Sequence, residues 1–302
     1  MKKFCFRLLL FALLCVGIDR LFGLGFCYLQ DRAHGGYFLR DNYISRTMRA
    51  DLLVMGSSRA VHHYLPSILA DSLLMECYNA GQDGCGVVYG YGKLQTVFSR
   101  YYPKVLLWEL TPAFDVYPGD NAAYLTNLRP YYDCPGVDSV FDWVSPAERW
   151  KMLSYAYRYN SRVLNLLNDF VSHVPLTRDG YLPNPGRMNY EPEVREEPEG
   201  CEVDPLKLRC LLRLMEQTRG KTRLVVAASP RYLPEGFAGR VQNPGIEYVK
   251  ALCRARGILF LDYYNDSRFV GKKQYFKDSM HLNDEGAEEF SRIVASDLHK
   301  AL

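Results

Sequence analysis

Asp51-Leu52-Leu53-Val54-Met55-Gly56-Ser57-Ser58-Arg59-Ala60 is the stretch on which the reading of this chain turns. An unbroken apolar run without polar alternation reads as a strand buried on both faces, the kind parallel sheets contain. Gly56 ends the run and lets the chain turn sharply. A serine just past that turn sits at the carboxyl edge of the sheet, where open α/β folds place ligands. Ser58 is therefore a candidate nucleophile. Taken alone, Gly-Ser-Ser is also how an ordinary strand-to-helix turn with capping serines is written.

What a nucleophilic serine needs lies at the other end of the chain. Asp278-Ser279-Met280-His281 places a carboxylate three positions before an imidazole, just ahead of a helix that starts near Asn283 and carries Ala287, Phe290, Val294 and Leu298 on one side. An imidazole takes the proton of a hydrolytic nucleophile, and an acid holds that imidazole in the right tautomer.

Working outward from the first strand, strand-like and helix-like segments alternate as a parallel sheet covered on both faces requires. Strands are expected at Asp51–Met55, Glu76–Ala80, Val105–Leu110, Arg223–Ala228 and Ile258–Asp262. Helical spacing recurs between them, in Leu65, Ile68, Leu69 and Leu73, and again in Leu208, Leu211, Leu212 and Met215. The fold class is α/β: a three-layer, flavodoxin-like arrangement on a five-stranded parallel sheet. From about 112 to 204 the alternation breaks for far longer than an ordinary connection, which marks an insertion. It is expected to be helical around Pro146–Val171 and irregular from Pro175 to Glu202. It is dense in tyrosine (Tyr117, Tyr124, Tyr131, Tyr132, Tyr155, Tyr157, Tyr159, Tyr181 and Tyr190), either as filling for a small subdomain or as a surface for sugars or a partner.

The 302 residues, 48% of them hydrophobic, suffice for one large core, and a net charge of +3 from 37 basic and 34 acidic residues carries no polyanion preference. No cluster of Lys and Arg with interleaved aromatics stands out, so nucleic acid is not an expected partner. The N-terminus reads as an address. Lys2, Lys3 and Arg7 precede the apolar run Leu8–Ile18, then Asp19-Arg20 and a second apolar stretch, Leu21–Leu29. No small-x-small cleavage site follows. Residues 1–30 are read as an uncleaved signal anchor with a cytoplasmic N-terminus, and 31–302 as an extracytoplasmic domain at the inner membrane. Of the nine cysteines, Cys5 and Cys15 fall in the anchor and Cys27 at its edge; no pairing is assigned to the other six. The absence of Cys-x-x-Cys argues against a zinc site.

A serine after the first strand, a glycine turn after the second and Asp-x-x-His before the last helix resemble the SGNH/GDSL hydrolase superfamily, from Asp51 to the end apart from the insertion. The resemblance implies that Ser58 is the nucleophile, His281 the general base and Asp278 its orienter, with no metal and no cofactor. Gly-Ser-Ser, with Ser57 where the family usually has Asp, looks like the variant of membrane-anchored members that act on envelope polymers. Asn79-Ala80-Gly81-Gln82-Asp83-Gly84 resembles the family's Asn-x-x-x-x-Gly turn, so the oxyanion donors expected are the backbone N–H groups of Ser58 and Gly84, with Gly81 as an alternative. The family's third block, Gly-x-Asn-Asp, is missing: the strand ends Leu107-Trp108-Glu109-Leu110, and Asn121 or Asn127 of the insertion are possible substitutes for the lost donor. Arg59 and Arg231 are weak candidates for holding an anionic or sugar group of the substrate. His62 and His63 are read as structural, because neighbours on a helix point in different directions.

These readings lead to a membrane-anchored serine esterase or O-acyltransferase acting on acylated envelope carbohydrate, working beside a membrane-bound O-acyltransferase. The rival is a weakly active or inactive scaffold of the same fold that binds glycan or a partner enzyme through its tyrosine-rich insertion.

Overall fold

The computed structural model describes residues 1–174, 177, 179–193, 200–237 and 242–302. In chain order the helices are α1 (Lys2–Asp31), α2 (Gly36–Arg46), α3 (Ser58–His63), α4 (Pro66–Leu73), α5 (Val87–Phe98), α6 (Pro112–Asp115), α7 (Asp138–Val144), α8 (Glu148–Lys151), α9 (Tyr155–Arg158), α10 (Val163–Val171), α11 (Pro205–Thr218), α12 (Pro244–Ala255) and α13 (Asp284–Ala301). The strands are β1 (Leu52–Gly56), β2 (Cys77–Asn79), β3 (Val105–Glu109), β4 (Arg223–Ala228) and β5 (Leu259–Asp262). Each lies within a residue or two of its expected place. Contacts divide the chain into two compact units, one of Met1–Met48, Gln95–Ser99 and Ala122–Leu176, the other of Arg49–Leu94, Arg100–Asn121 and Thr177–Leu302. The insertion is thus shared between the units.

The second unit contains the sheet. All five strands are parallel in the order β2-β1-β3-β4-β5, the flavodoxin-like order, with helices on both sides. Register pairs Gly56 with Glu109 and Glu109 with Ala227, so the carboxyl ends of β1, β3 and β4 finish level and the residues after them share one edge. β1, β3 and most of β4 are buried throughout, which is why these strands lack polar alternation. Leu52, Val54, Leu107 and Val225 share a core with Phe290, Val294 and Leu298 of α13. Each such side chain contributes about 1.5–3 kcal/mol by leaving water. Asp204, Asn243 and Asn283 cap α11, α12 and α13 by accepting backbone N–H groups, and Pro follows at the first helical position in α11 and α12. Gly56 has φ +143°, and a Cβ there would lie 2.6 Å from the Glu109 carbonyl oxygen. The turn after β1 accommodates glycine alone.

The first unit is helical. α1 is long and apolar enough to cross a membrane. Asp169 of α10 accepts the His34 and Gly35 N–H groups on its carbonyl and that of Phe38 on its carboxylate, tying α10 to the start of α2. The helices expected around Pro146–Val171 are three short ones, α8, α9 and α10, with α7 before them. Turns at Ser154 and around Ser161, which takes φ +66°, separate the three. Tyrosines here are packing residues: Tyr131 and Tyr159 are buried, and Tyr157 lies under Arg129 and Lys151. In the sheet unit Tyr117 and Tyr181 bond Asn243 and Asp284. Tyr190 is open to solvent. Of the expected irregular stretch Pro175–Glu202, residues 175, 176, 178 and 194–199 lie outside the described residues; the rest holds no helix or strand. No disulfide forms among the described cysteines.

Candidate active site

The two serines after Gly56 have different surroundings. Ser57 is buried, its hydroxyl 2.7 Å from that of Thr111. Ser58, first residue of α3, is half-buried, and its Oγ lies 2.9 Å from His281 Nε2 although 223 positions separate them. The other imidazole nitrogen, Nδ1, is 3.0 Å from both Asp278 oxygens. Asp278 also accepts the backbone N–H groups of Met280 at 2.8 Å and His281 at 2.9 Å. Partial burial works against its charge, but these bonds outweigh burial and hold its pKa below the usual carboxylate value. With Asp278 ionised, Nδ1 carries the ring proton and Nε2 is left to accept from Ser58.

The loop that carries this pair is fixed at both ends. Asn283 accepts the Gly286 N–H and donates to the carbonyls of Gly186 and Gln274, while the Lys277 N–H donates to the His281 carbonyl. Beneath it runs a buried polar network. The Leu282 N–H donates to His63 Nε2 at 3.0 Å, which leaves the His63 proton on Nδ1, directed to Ser229 Oγ at 2.8 Å. Ser229 Oγ donates in turn to Glu109 Oε1 at 2.7 Å and accepts from Arg59 Nε at 3.1 Å. Tyr64 donates its hydroxyl to the second Glu109 oxygen. Backbone next to the base is thereby fastened to the carboxyl ends of β3 and β4. The sequence carries no signal for this, since nothing in the spacing of residues 59, 63, 109 and 229 marks them as neighbours.

Neutral His63 makes the network acid-sensitive. Burial first, then the charges of Arg59, His281 and His62, push its pKa well below 6.5. The unfolded chain therefore binds the extra proton, and the stability that neutral His63 contributes is complete above pH 6.5 and lost as pH falls below it, by up to about 1.4 kcal/mol per unit. His62 acts in the opposite sense. Burial disfavours its charge, but Asp83 and the Leu182 carbonyl prevail and raise its pKa, so its contribution is present below 6.5 and fades above. Urea unfolding at about pH 7.5 and 5.5 separates them: His63→Gln is expected to lose less stability on acidification than wild type. An equal loss in both would remove the role given to neutral His63.

The remaining expected residues fall out differently. Gly84 has φ +65° with open space around its Cα, and neither its N–H nor that of Ser58 has a hydrogen-bond partner among the described residues. Gly81 has its N–H on Asn79 Oδ1 at 3.0 Å, and a Cβ on it would meet the Val61 nitrogen at 2.6 Å, so it seats the turn against α3 instead of offering a donor. His62 holds the next part of that turn, with Nε2 3.0 Å from Asp83 and Nδ1 2.7 Å from the Leu182 carbonyl. Asn121 donates to Asp204, the cap of α11, at 2.8 Å. Asn127 belongs to the other unit, in a 3₁₀ turn. Glu109, to which the sequence assigns no role, is fully buried in the network.

Both arginines expected to touch substrate are buried. Arg59 is 1% exposed and spends its guanidinium on Ser229 and Glu109, because the first turn of α3 directs it into the sheet edge. Arg231 is buried too, with one nitrogen 3.1 Å from the Tyr264 hydroxyl and the guanidinium over that ring. It lines a cavity of about 50 Å³ with Tyr232, Ser279 and Met280, beside the base loop. A larger cavity, about 700 Å³, lies at the amino ends of β4 and β5, the wrong edge of the sheet for Ser58.

No protein-family model matches the chain, and no curated protein matches its sequence.

Proposed function

We propose that this chain is a membrane-anchored SGNH-type serine esterase or O-acyltransferase that acts on acylated carbohydrate of the cell envelope through an acyl-enzyme. The observation that carries the reading is the unbroken chain of hydrogen bonds Ser58 Oγ, His281 Nε2, His281 Nδ1, Asp278 at the carboxyl edge of a parallel sheet. In the proposed cycle Ser58 Oγ attacks the ester carbonyl while His281 takes its proton, and the oxyanion is met by the N–H groups of Ser58 and Gly84. The tetrahedral intermediate collapses as His281 returns the proton to the departing sugar oxygen. Water or a second sugar hydroxyl then gives its proton to His281, attacks the acyl carbon, and restores Ser58. α1 is the anchor in this reading, with the Lys2, Lys3 and Arg7 end in the cytoplasm and the catalytic unit in the periplasm. A membrane-bound O-acyltransferase is the proposed source of acyl groups.

A specific observation favours one rival, a binding scaffold without turnover: β3 ends in the buried carboxylate of Glu109, and Leu110-Thr111-Pro112 after it include no asparagine to join the two backbone donors. A fluorophosphonate distinguishes the two. The expected result is a covalent adduct on Ser58 that disappears in His281→Ala and slows in Asp278→Asn. Folded protein that stays unlabelled would favour the scaffold.

A further inference from the structure

α10 carries more apolar surface than its own unit covers. At about 100° per residue, its buried or half-buried positions Asp169, Leu166, Phe170 and Val163 occupy one arc of the helix. Leu167, Val171 and Leu164 continue that arc without a gap, and only then do Asn168 and Asn165 begin the polar face. Leu164 is 82% exposed and Val171 68%. Trp150 at 68% and Leu153 are bare as well, just before α9, with Arg149 against the Trp150 ring. A soluble surface rarely leaves such a strip open.

The strip adjoins the helix that crosses the bilayer. Leu166 and Val163 of α10 share a core with Phe26, Cys27 and Leu29 of α1. One turn earlier, Gly23 packs so closely on Tyr155 of α9 that a Cβ would lie 2.4 Å from its ring. Counting from Phe4, just past Lys2 and Lys3, a span of about 30 Å needs about 20 residues and ends near Gly23. The contact with α9 therefore falls at the edge of the hydrocarbon, and α10 follows within about 5–10 Å, in the headgroup layer. Asp19 and Arg20, which interrupt the apolar run about one turn inside that boundary, both have partners there. Asp19 accepts from the Ser154 hydroxyl and from the Tyr155 and Ala156 N–H groups at 2.8–3.0 Å, and Arg20 lies over the Tyr155 ring.

We infer that Leu164, Leu167 and Val171, with Trp150 and Leu153, rest in the interfacial layer of the phospholipid bilayer that α1 spans. The chain then holds its membrane by one span and one amphipathic pad. The inference rests on α1 being a retained anchor, and it adds a second membrane contact that fixes how the first unit leans on the surface.

The full chain in nanodiscs of phosphatidylcholine and phosphatidylglycerol tests it. Leu164→Trp, with Leu167→Trp as the alternative should the first misfold, is compared with wild type in discs made with phospholipids brominated near the headgroup or near the chain end. Phe22→Trp in α1 serves as the lipid-exposed control. The added emission at residue 164 is expected to fall by roughly half, and more with headgroup-proximal bromine than with deep bromine. Protein that travels with the discs while residue 164 stays unquenched overturns the pad but not the anchor, and would leave the strip to a protein partner. Protein that does not enter discs at all overturns both.

Discussion

Ser58→Ala is expected to lower kcat/KM for an aryl acetate by about 10⁴-fold or more, leaving only what binding and the backbone donors supply. Asp278→Asn should cost about 10³ to 10⁴-fold, because the amide no longer holds the His281 proton on Nδ1. The two losses should not add. A nucleophile that has gone cannot be activated, so the double variant is expected to match Ser58→Ala alone. Stability is the control: Ser58 is half-buried and gives up one hydrogen bond, a change of about 1 kcal/mol or less in urea. Turnover by Ser58→Ala within tenfold of wild type would sink the assignment of the nucleophile. A full additive loss in the double variant would instead mean that Asp278 acts apart from the serine.

How far the sequence led is plain from particular residues. β1 and β3 were legible because strands buried on both faces need no alternation, and the apolar runs Leu52–Met55 and Val105–Trp108 could not be placed otherwise. Ser58 and His281 were legible as types in order, since one follows a strand and the other precedes a capped helix. Arg59 was not. Read along the chain it stands beside a nucleophile, but direction is set by how α3 leaves the sheet, and that turns it inward beneath Ser229. Glu109 was silent in a different way: the motif gives it no role, it belongs to the core, and only register with Gly56 and Ala227 reveals its neighbours. The helices of Pro146–Val171 are legible as a group, but their ends at Ser154 and Ser161 are not, because the apolar periodicity persists across them.

The largest expected stability effect lies at that buried carboxylate. Glu109→Ala removes the acceptor for the Ser229 N–H, for the Ser229 and Tyr64 hydroxyls and for Arg59, whose Nε is 3.4 Å away. It leaves a guanidinium uncompensated at 1% exposure, and breaking a buried pair from one side costs about 3–5 kcal/mol in urea unfolding. The pair itself is not the source of that figure. Burial raises the Glu109 pKa, and Arg59, Tyr64 and Ser229 together do not bring it back to the usual carboxylate value, so taking the charge out of water costs more than its partners return. Removing both charges is then far cheaper than removing one: Arg59→Leu with Glu109→Leu is expected to recover most of the loss. Activity should not recover with it. Ser229 would keep its bond from His63 but lose the acceptor that orients its hydroxyl, and through His63 the Leu282 backbone would lose its fixed position beside the base. A double variant that is stable yet slow would show the network to be a positioning device for His281, whereas one that is both stable and fast would reduce it to packing.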